Sequence, residues 1–122
     1  MKHLFLEDLK NFNHAEVKQH LIEEYTAPKI EMKNYDVIIA YESVGSWGCD
    51  STSFFLLKNK TTNKYFEIHG SHCSCYGFEN QFKPELTTLK YLKSEKWDFY
   101  VGGYDSSPNS NKAEVKAFLK TL

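Results

Sequence analysis

The middle of the chain carries the alternation of apolar and polar residues that is typical of β-strands. Apolar side chains fall on every second position from Tyr35 to Tyr41, and Ile38 and Ala40 make the other face apolar as well. A strand that is apolar on both faces is expected at the centre of a sheet. A turn-forming run at 59–63 joins the next two strands as a hairpin. Strands are predicted over residues 34–44, 53–58, 64–69 and 97–101.

Helical spacing of apolar residues flanks these strands on both sides. Asn13 and Glu16 have the spacing of a capping box, and Pro84 suits the first turn of a later helix. Helices are predicted over residues 4–12, 14–27, 84–92 and 112–122, the last one capped by Asn111. The sequence therefore predicts one α+β domain over residues 1–122. Its antiparallel sheet has three to four strands, and N- and C-terminal helices pack on one sheet face.

Composition agrees with a small globular protein. The chain has 122 residues, of which 41% are hydrophobic and 16% aromatic, enough for a packed core. No run of eighteen apolar residues is present, so no membrane span is expected. Glu7 and Asp8 stand where a signal peptide needs apolar residues, and the cysteine count of three is odd. These observations favour a cytoplasmic protein without structural disulfides.

The charge pattern argues against a nucleic-acid partner. The net charge is −1, and all fifteen basic residues are lysine. Without arginine the chain lacks the guanidinium groups that read phosphates and guanine edges in pairs of hydrogen bonds. An arginine-free composition is also typical of coding in an AT-rich genome, such as that of a low-GC bacterium or its phage.

The segment from His69 to Gly77 concentrates the chemistry of the chain. It holds two imidazoles and two thiols within nine residues, and these are the preferred ligands of zinc. Cys49, His72, Cys73 and Cys75 would then hold one Zn ion, with His69 as a further candidate. The spacing differs from that of zinc fingers, because no pair of cysteines is separated by two residues.

A thiol-dependent enzyme is the second reading of the same segment. Cys73 or Cys75 would be the nucleophile, and His69 or His72 would be its base. The third interpretation is a purely structural loop, in which the thiols behave as small apolar groups and the nearby aromatic side chains cover the core. The residues alone leave these alternatives open.

Two stretches of this region resemble a group of known proteins. The pattern Gly-Ser-His-Cys-Ser-Cys-Tyr-Gly-Phe-Glu over 70–79, followed by Gln-Phe-x-Pro-Glu-Leu-Thr-Thr over 81–88, is similar to small proteins of unknown function in phages and prophages. The resemblance covers residues 47–92. It implies a mobile-element origin and brings no catalytic residue. Small phage proteins often bind a host protein and block or redirect it, so a bacterial host protein is the expected partner.

The leading hypothesis is therefore a non-enzymatic protein-interaction module. Its contact surface would combine the loop around Trp47 with the loop that follows His69, because exposed aromatic side chains anchor many interfaces. The predicted contact residues are Trp47, Asp50, His69, His72, Tyr76, Phe78, Gln81 and Phe82.

Overall fold

A computed structural model describes residues 2–43, 51–72, 77–97 and 111–122. Its elements, in chain order, are β1 (Leu4–Glu7), α1 (His14–Glu24), α2 (Lys29–Met32), β2 (Tyr35–Ser43), β3 (Ser51–Asn59), β4 (Tyr65–His72), β5 (Glu85–Thr87), α3 (Leu89–Leu92) and α4 (Lys112–Leu119). The predicted α+β class is confirmed, with helices from both ends of the chain around one sheet. None of the helices in these ranges has the length and apolarity needed to cross a bilayer.

The sheet has five strands in the order β1-β2-β3-β4-β5. β1 runs parallel to β2, and every other neighbouring pair is antiparallel. The predicted hairpin of β3 and β4 is confirmed. The Asn59 side chain accepts hydrogen bonds from the backbone N–H groups of Thr61 (2.9 Å) and Thr62 (3.0 Å), which closes the hairpin turn.

The predicted helix over residues 4–12 is wrong, because its first part is the edge strand β1. The helical spacing of Phe5, Leu9 and Phe12 nevertheless marks burial correctly, since all three pack against the same core cluster. The chain reaches this arrangement through a strand and a tight turn. Parallel pairing of Leu4 with Ile39 links residues 35 positions apart, and local periodicity cannot report such a contact.

The predicted helix that begins at Pro84 is also wrong over its first half. Residues 85–87 form β5, and α3 begins only after Thr88, whose hydroxyl accepts a hydrogen bond from the Tyr91 N–H at 3.1 Å. Leu86 is 63% exposed, whereas Leu92 is buried. The predicted strand over 97–101 lies outside the described residues except for its first one.

The helix α1 begins as predicted. The Asn13 side chain accepts from the Glu16 N–H at 2.8 Å, and the Glu16 carboxylate accepts from the Asn13 N–H at 2.9 Å, which completes the capping box. Asn111 precedes α4 as predicted but makes no side-chain cap. Its amide donates instead to the Glu7 carboxylate at 2.9 Å.

Helices cover both faces of the sheet, so the prediction that they pack on one face is wrong. The N-terminal core, formed with α1 and α2, comprises Phe5, Leu9, Val17, Leu21, Tyr25, Ala27, Met32, Tyr35, Val37, Ala40, Phe55, Leu57, Ile68 and Phe78. The C-terminal core, formed with α3 and α4, comprises Leu6, Ile38, Ile39, Tyr41, Phe54, Leu56, Leu92, Trp97, Val115 and Leu119. Apolar residues on both faces of β2 are the sequence signal for this three-layer arrangement.

An irregularity in β2 sets which residues enter each core. Val37 pairs with Leu57 and Ile39 pairs with Leu56, so Ile38 is an additional residue on this strand. As in a β-bulge, the extra residue breaks the alternation, and both isoleucines enter the C-terminal core. The Val37 N–H donates to His14 Nε2 at 2.9 Å, so a side chain of α1 completes the hydrogen bonding there.

Candidate functional site

A cleft opens on the sheet face that carries the C-terminal core, beside the short strand β5. Its volume is about 460 Å³. Its walls come from β4, β5, the start of α3 and the segment that ends at residue 97. The lining residues are Glu67, His69, Glu85, Leu86, Thr87, Thr88, Tyr91 and Trp97.

Glu67 is the buried polar centre of this cleft. One of its oxygens, Oε1, accepts hydrogen bonds from His69 Nε2 at 3.0 Å and from the Trp97 indole N–H at 2.8 Å. Burial by itself raises the pKa of a carboxyl group, but the hydrogen bonds to Glu67, with that of His69 the largest, outweigh it and lower its pKa below the ordinary value. A charged Glu67 is therefore held inside the protein by donors placed around it.

His69 is accessible although its partner is not. Its side chain is 45% exposed, against 10% for Glu67, and its ring lies 5.1 Å from the ring of Phe54 in the C-terminal core. Residues two apart on a strand share a face, so the alternation of β4 brings Glu67 and His69 together. Because Nε2 binds the carboxylate, Nδ1 is the ring nitrogen left to meet a ligand, and it has no partner among the described residues.

The opposite wall is supplied by β5 and α3. Glu85 pairs with Glu67 in the antiparallel register, which places a second carboxylate across the cleft. The Thr87 hydroxyl is buried beside the Glu67 carboxylate and helps to lower its pKa, although their contact lacks the geometry of a well-formed hydrogen bond. The Tyr91 side chain is 44% exposed. The cleft thus combines two carboxylates, one accessible imidazole, one buried hydroxyl and one open aromatic ring.

Comparison with known proteins adds no constraint on function. No protein-family model, no curated protein and no solved structure matches this chain. The function has to follow from the residues that line the cleft and from their surroundings.

The two histidines that the sequence singled out lie on opposite faces of the sheet. His69 packs on Phe54 of the C-terminal core, whereas the ring of His72 meets Phe78 of the N-terminal core at 4.4 Å and 81°. The two therefore cannot serve one ion or one nucleophile together. Phe78, expected as an exposed anchor, is buried and stacks on Tyr25 with the ring centres 4.7 Å apart.

The structure also describes two other predicted contact residues, Gln81 and Phe82. Both form hydrogen bonds that hold their segment against the rest of the domain. The Gln81 amide accepts from the Ser71 N–H at 2.9 Å and donates to the Ser71 carbonyl at 2.7 Å. It thereby occupies the free edge of β4 in place of a strand. The Phe82 N–H donates to the Tyr25 carbonyl at 3.2 Å, and its side chain packs against the N-terminal core. Both residues therefore make contacts that support the fold, and their role in binding a partner stays a prediction.

The remaining predicted site residues lie outside the described part of the chain. These are Trp47, Cys49, Asp50, Cys73, Cys75 and Tyr76. The zinc site and the thiol nucleophile therefore stay predictions. Within the described ranges, no group of three or more His, Cys, Asp or Glu side chains is arranged to hold a metal ion.

A second buried carboxylate lies on the other side of the sheet. Glu42, at the end of β2, accepts from the Tyr25 hydroxyl at 2.5 Å and from His20 Nε2 at 2.9 Å. Burial lowers the pKa of His20, but its hydrogen bond and charge interaction with Glu42 outweigh burial, so the pKa is raised. Burial and the nearby carboxylate raise the pKa of Tyr25 far above its usual range, so its hydroxyl stays a donor.

Sequence reasoning missed the partners that make His69 a site residue. Glu67 precedes His69 by two positions in a predicted strand. Residues at that spacing share a face, so the sequence could have indicated the carboxylate–imidazole pair. Trp97 is 30 residues from Glu67, and only the tertiary fold brings its indole to the carboxylate. Glu42 had a signal of its own, as a charged residue at the end of a strand that is otherwise buried on both faces.

Proposed function

We propose that this chain is a non-enzymatic protein-interaction module, a phage- or prophage-encoded binder or inhibitor of a bacterial host protein in the cytoplasm. The cleft beside β5 is its contact site. One observation carries the proposal. Of the three large hydrophobic side chains that are exposed in the described part of the chain, Tyr91 belongs to the lining of this cleft, and Leu86 lies in the strand β5 that forms its wall.

The polar groups of the cleft favour binding because they are already held in place. Glu67 fixes both the His69 imidazole and the Trp97 indole by hydrogen bonds. Association costs free energy when flexible side chains become ordered, so groups that are fixed beforehand reduce that cost. Tyr91 adds an amphipathic ring of the type that is enriched among the residues contributing most to interfaces.

The hydroxyl groups near His69 favour binding over nucleophilic catalysis. Thr88 caps α3 with its hydroxyl, and the Thr87 hydroxyl is buried. Neither one forms a hydrogen bond with His69 in the described structure. A nucleophile and its base are expected within hydrogen-bond reach of each other, and the threonines of this cleft make no such pair.

Site-specific photocrosslinking tests the proposal. A benzophenone amino acid is introduced at Tyr91, and the purified protein is irradiated in an extract of a low-GC bacterial host. The matched control carries the same group at Ile30, which is 79% exposed on α2, on the other side of the sheet. We expect a discrete adduct from position 91 that is absent from position 30. The same set of adducts from both positions, or none from position 91, would refute the proposal.

A further inference from the structure

We propose that the cleft beside β5 receives a cationic side chain of the partner, the guanidinium group of an arginine. This inference rests on the proposed function, because it names the chemistry that the same contact site recognises. Three features of the lining support it: its charge, the incomplete hydrogen bonding of the buried Thr87 and Glu67 side chains, and its open aromatic ring.

The charge of the lining is complementary to a cation. Glu67 and Glu85 face each other across the β4–β5 pair, and no lysine lines the cleft. His69 is the only lining residue that can carry positive charge, and its Nε2 is already bound to Glu67. An anion would meet two carboxylates here, and a neutral apolar group would bury them without compensation.

Two polar groups of the cleft are incompletely hydrogen-bonded. Glu67 binds both His69 and Trp97 through Oε1, and the Thr87 hydroxyl is a further group that interacts with this carboxylate. The contact of Thr87 with Glu67 lacks the geometry of a well-formed hydrogen bond, although Thr87 is only 8% exposed. A buried polar group without a hydrogen bond is costly, and a ligand that brings N–H donors removes that cost.

A guanidinium group fits these acceptors better than an ammonium group does. It presents five N–H donors in a planar fork and stacks on aromatic rings. Tyr91 offers such a ring at the rim. Close by, Lys116 Nζ lies 5.1 Å from the centre of the Trp97 ring, so one face of that indole already meets a cation from α4.

The first experiment is a titration followed by two-dimensional ¹H–¹⁵N NMR. The probe is N-acetyl-arginine amide, and its neutral isostere N-acetyl-citrulline amide is the control. The readout is the indole N–H resonance of Trp97, assigned with a Trp47→Phe variant, because this proton is donated to Glu67. We expect a saturable shift with the arginine probe and binding of the citrulline probe weaker by about tenfold or more, as charge-assisted hydrogen bonds require. Equal binding of both probes, or no shift with either, would overturn the inference.

Two variants separate recognition from mere structure. Glu85→Gln removes one charge at an exposed position, and we expect several-fold weaker binding of the arginine probe. Thr87→Val removes the buried hydroxyl while keeping the shape of the side chain. If the hydroxyl serves the ligand, binding of the arginine probe weakens, and urea denaturation measures separately what its contact with Glu67 contributes to stability. The control Glu31→Gln removes an exposed carboxylate on α2 and is expected to leave binding unchanged.

The two proposals fail separately. An adduct at position 91 together with no arginine-dependent shift overturns the guanidinium assignment and leaves the interaction module standing. An arginine-dependent shift that is lost in Glu85→Gln supports the assignment through a measurement that needs no host extract. A shift that the Glu31→Gln control abolishes to the same extent would show nonspecific charge attraction and overturn the assignment.

Discussion

Removal of the Tyr25 hydroxyl tests how much the buried Glu42 carboxylate depends on its donors. In a Tyr25→Phe variant the aromatic ring remains, so its stacking on Phe78 and its edge contact with Phe55 are preserved. The change then removes the 2.5 Å hydrogen bond to Glu42 together with the contact of the hydroxyl with Ser53. Apart from Tyr25, His20 is the only described residue whose side chain donates a hydrogen bond to that carboxylate.

The expected loss follows from the partner and the burial. Hydrogen bonds to charged groups contribute about 1.5–3 kcal/mol, and Tyr25 is fully buried, so water does not readily replace the lost donor. We expect the free energy of unfolding to fall by about 2–3 kcal/mol. Urea denaturation at pH 7 measures it. The matched control is Tyr91→Phe, which removes a hydroxyl from an exposed ring and should change stability by less than about 0.5 kcal/mol.

The pH dependence sharpens this test. The pKa of His20 is raised in the folded protein, so the stability it contributes is fully present below its unfolded pKa of about 6.5. That contribution is lost as the pH rises through the folded pKa. In Tyr25→Phe, His20 is the remaining donor to Glu42, so the deficit relative to the wild type should grow above about pH 6.5. A deficit no larger than that of Tyr91→Phe at any pH would refute the reasoning.

Three further predictions concern stability and metal content. Asn13→Ala removes the capping box of α1 and should cost about 1 kcal/mol in urea denaturation; a cost under about 0.3 kcal/mol would contradict the cap. Burial lowers the pKa of His14, so the folded protein loses stability as the pH falls below about 6.5, and His14→Gln should reduce that loss. The Glu42 carboxylate raises the pKa of His20, so stability is lost as the pH rises above about 6.5, and His20→Gln should reduce that loss. Thermal melts on both sides of about pH 6.5 would show the two variants changing the pH dependence of stability in opposite directions. If the predicted zinc site exists, elemental analysis finds about one Zn per chain, and Cys73→Ser with Cys75→Ser removes it; metal-free wild-type protein would exclude the site.

Local signals predicted the elements that local interactions determine. The capping box follows from the spacing of Asn13 and Glu16, and the hairpin follows from a turn between two alternating runs. Residues 4–6 are different. A three-residue apolar run fits a helix or a strand equally well, and only its distant pairing with β2 decides between them.

The candidate site was predictable only in part. The sequence indicated His69 as a candidate, because imidazoles next to thiols are typical of zinc sites and of nucleophile–base pairs. It did not indicate that His72 lies on the opposite face, although alternation along a strand puts residues three apart on different faces. The indole of Trp97 reaches Glu67 only because α3 and the chain after it fold back over the sheet. Local sequence does not encode such a closure.

The three-layer arrangement also bears on how the protein is made. The second sheet face presents Ile38, Ile39 and Leu56, and its cover includes Val115 and Leu119 of α4. Residues 111–122 are synthesised after the five strands of the described sheet, so α4 is the latest part of this cover to become available. A nascent chain with an uncovered apolar sheet face is a substrate for chaperones and is prone to aggregate. A chain truncated between β5 and α4 would therefore expose this apolar face, which is covered only once α4 docks.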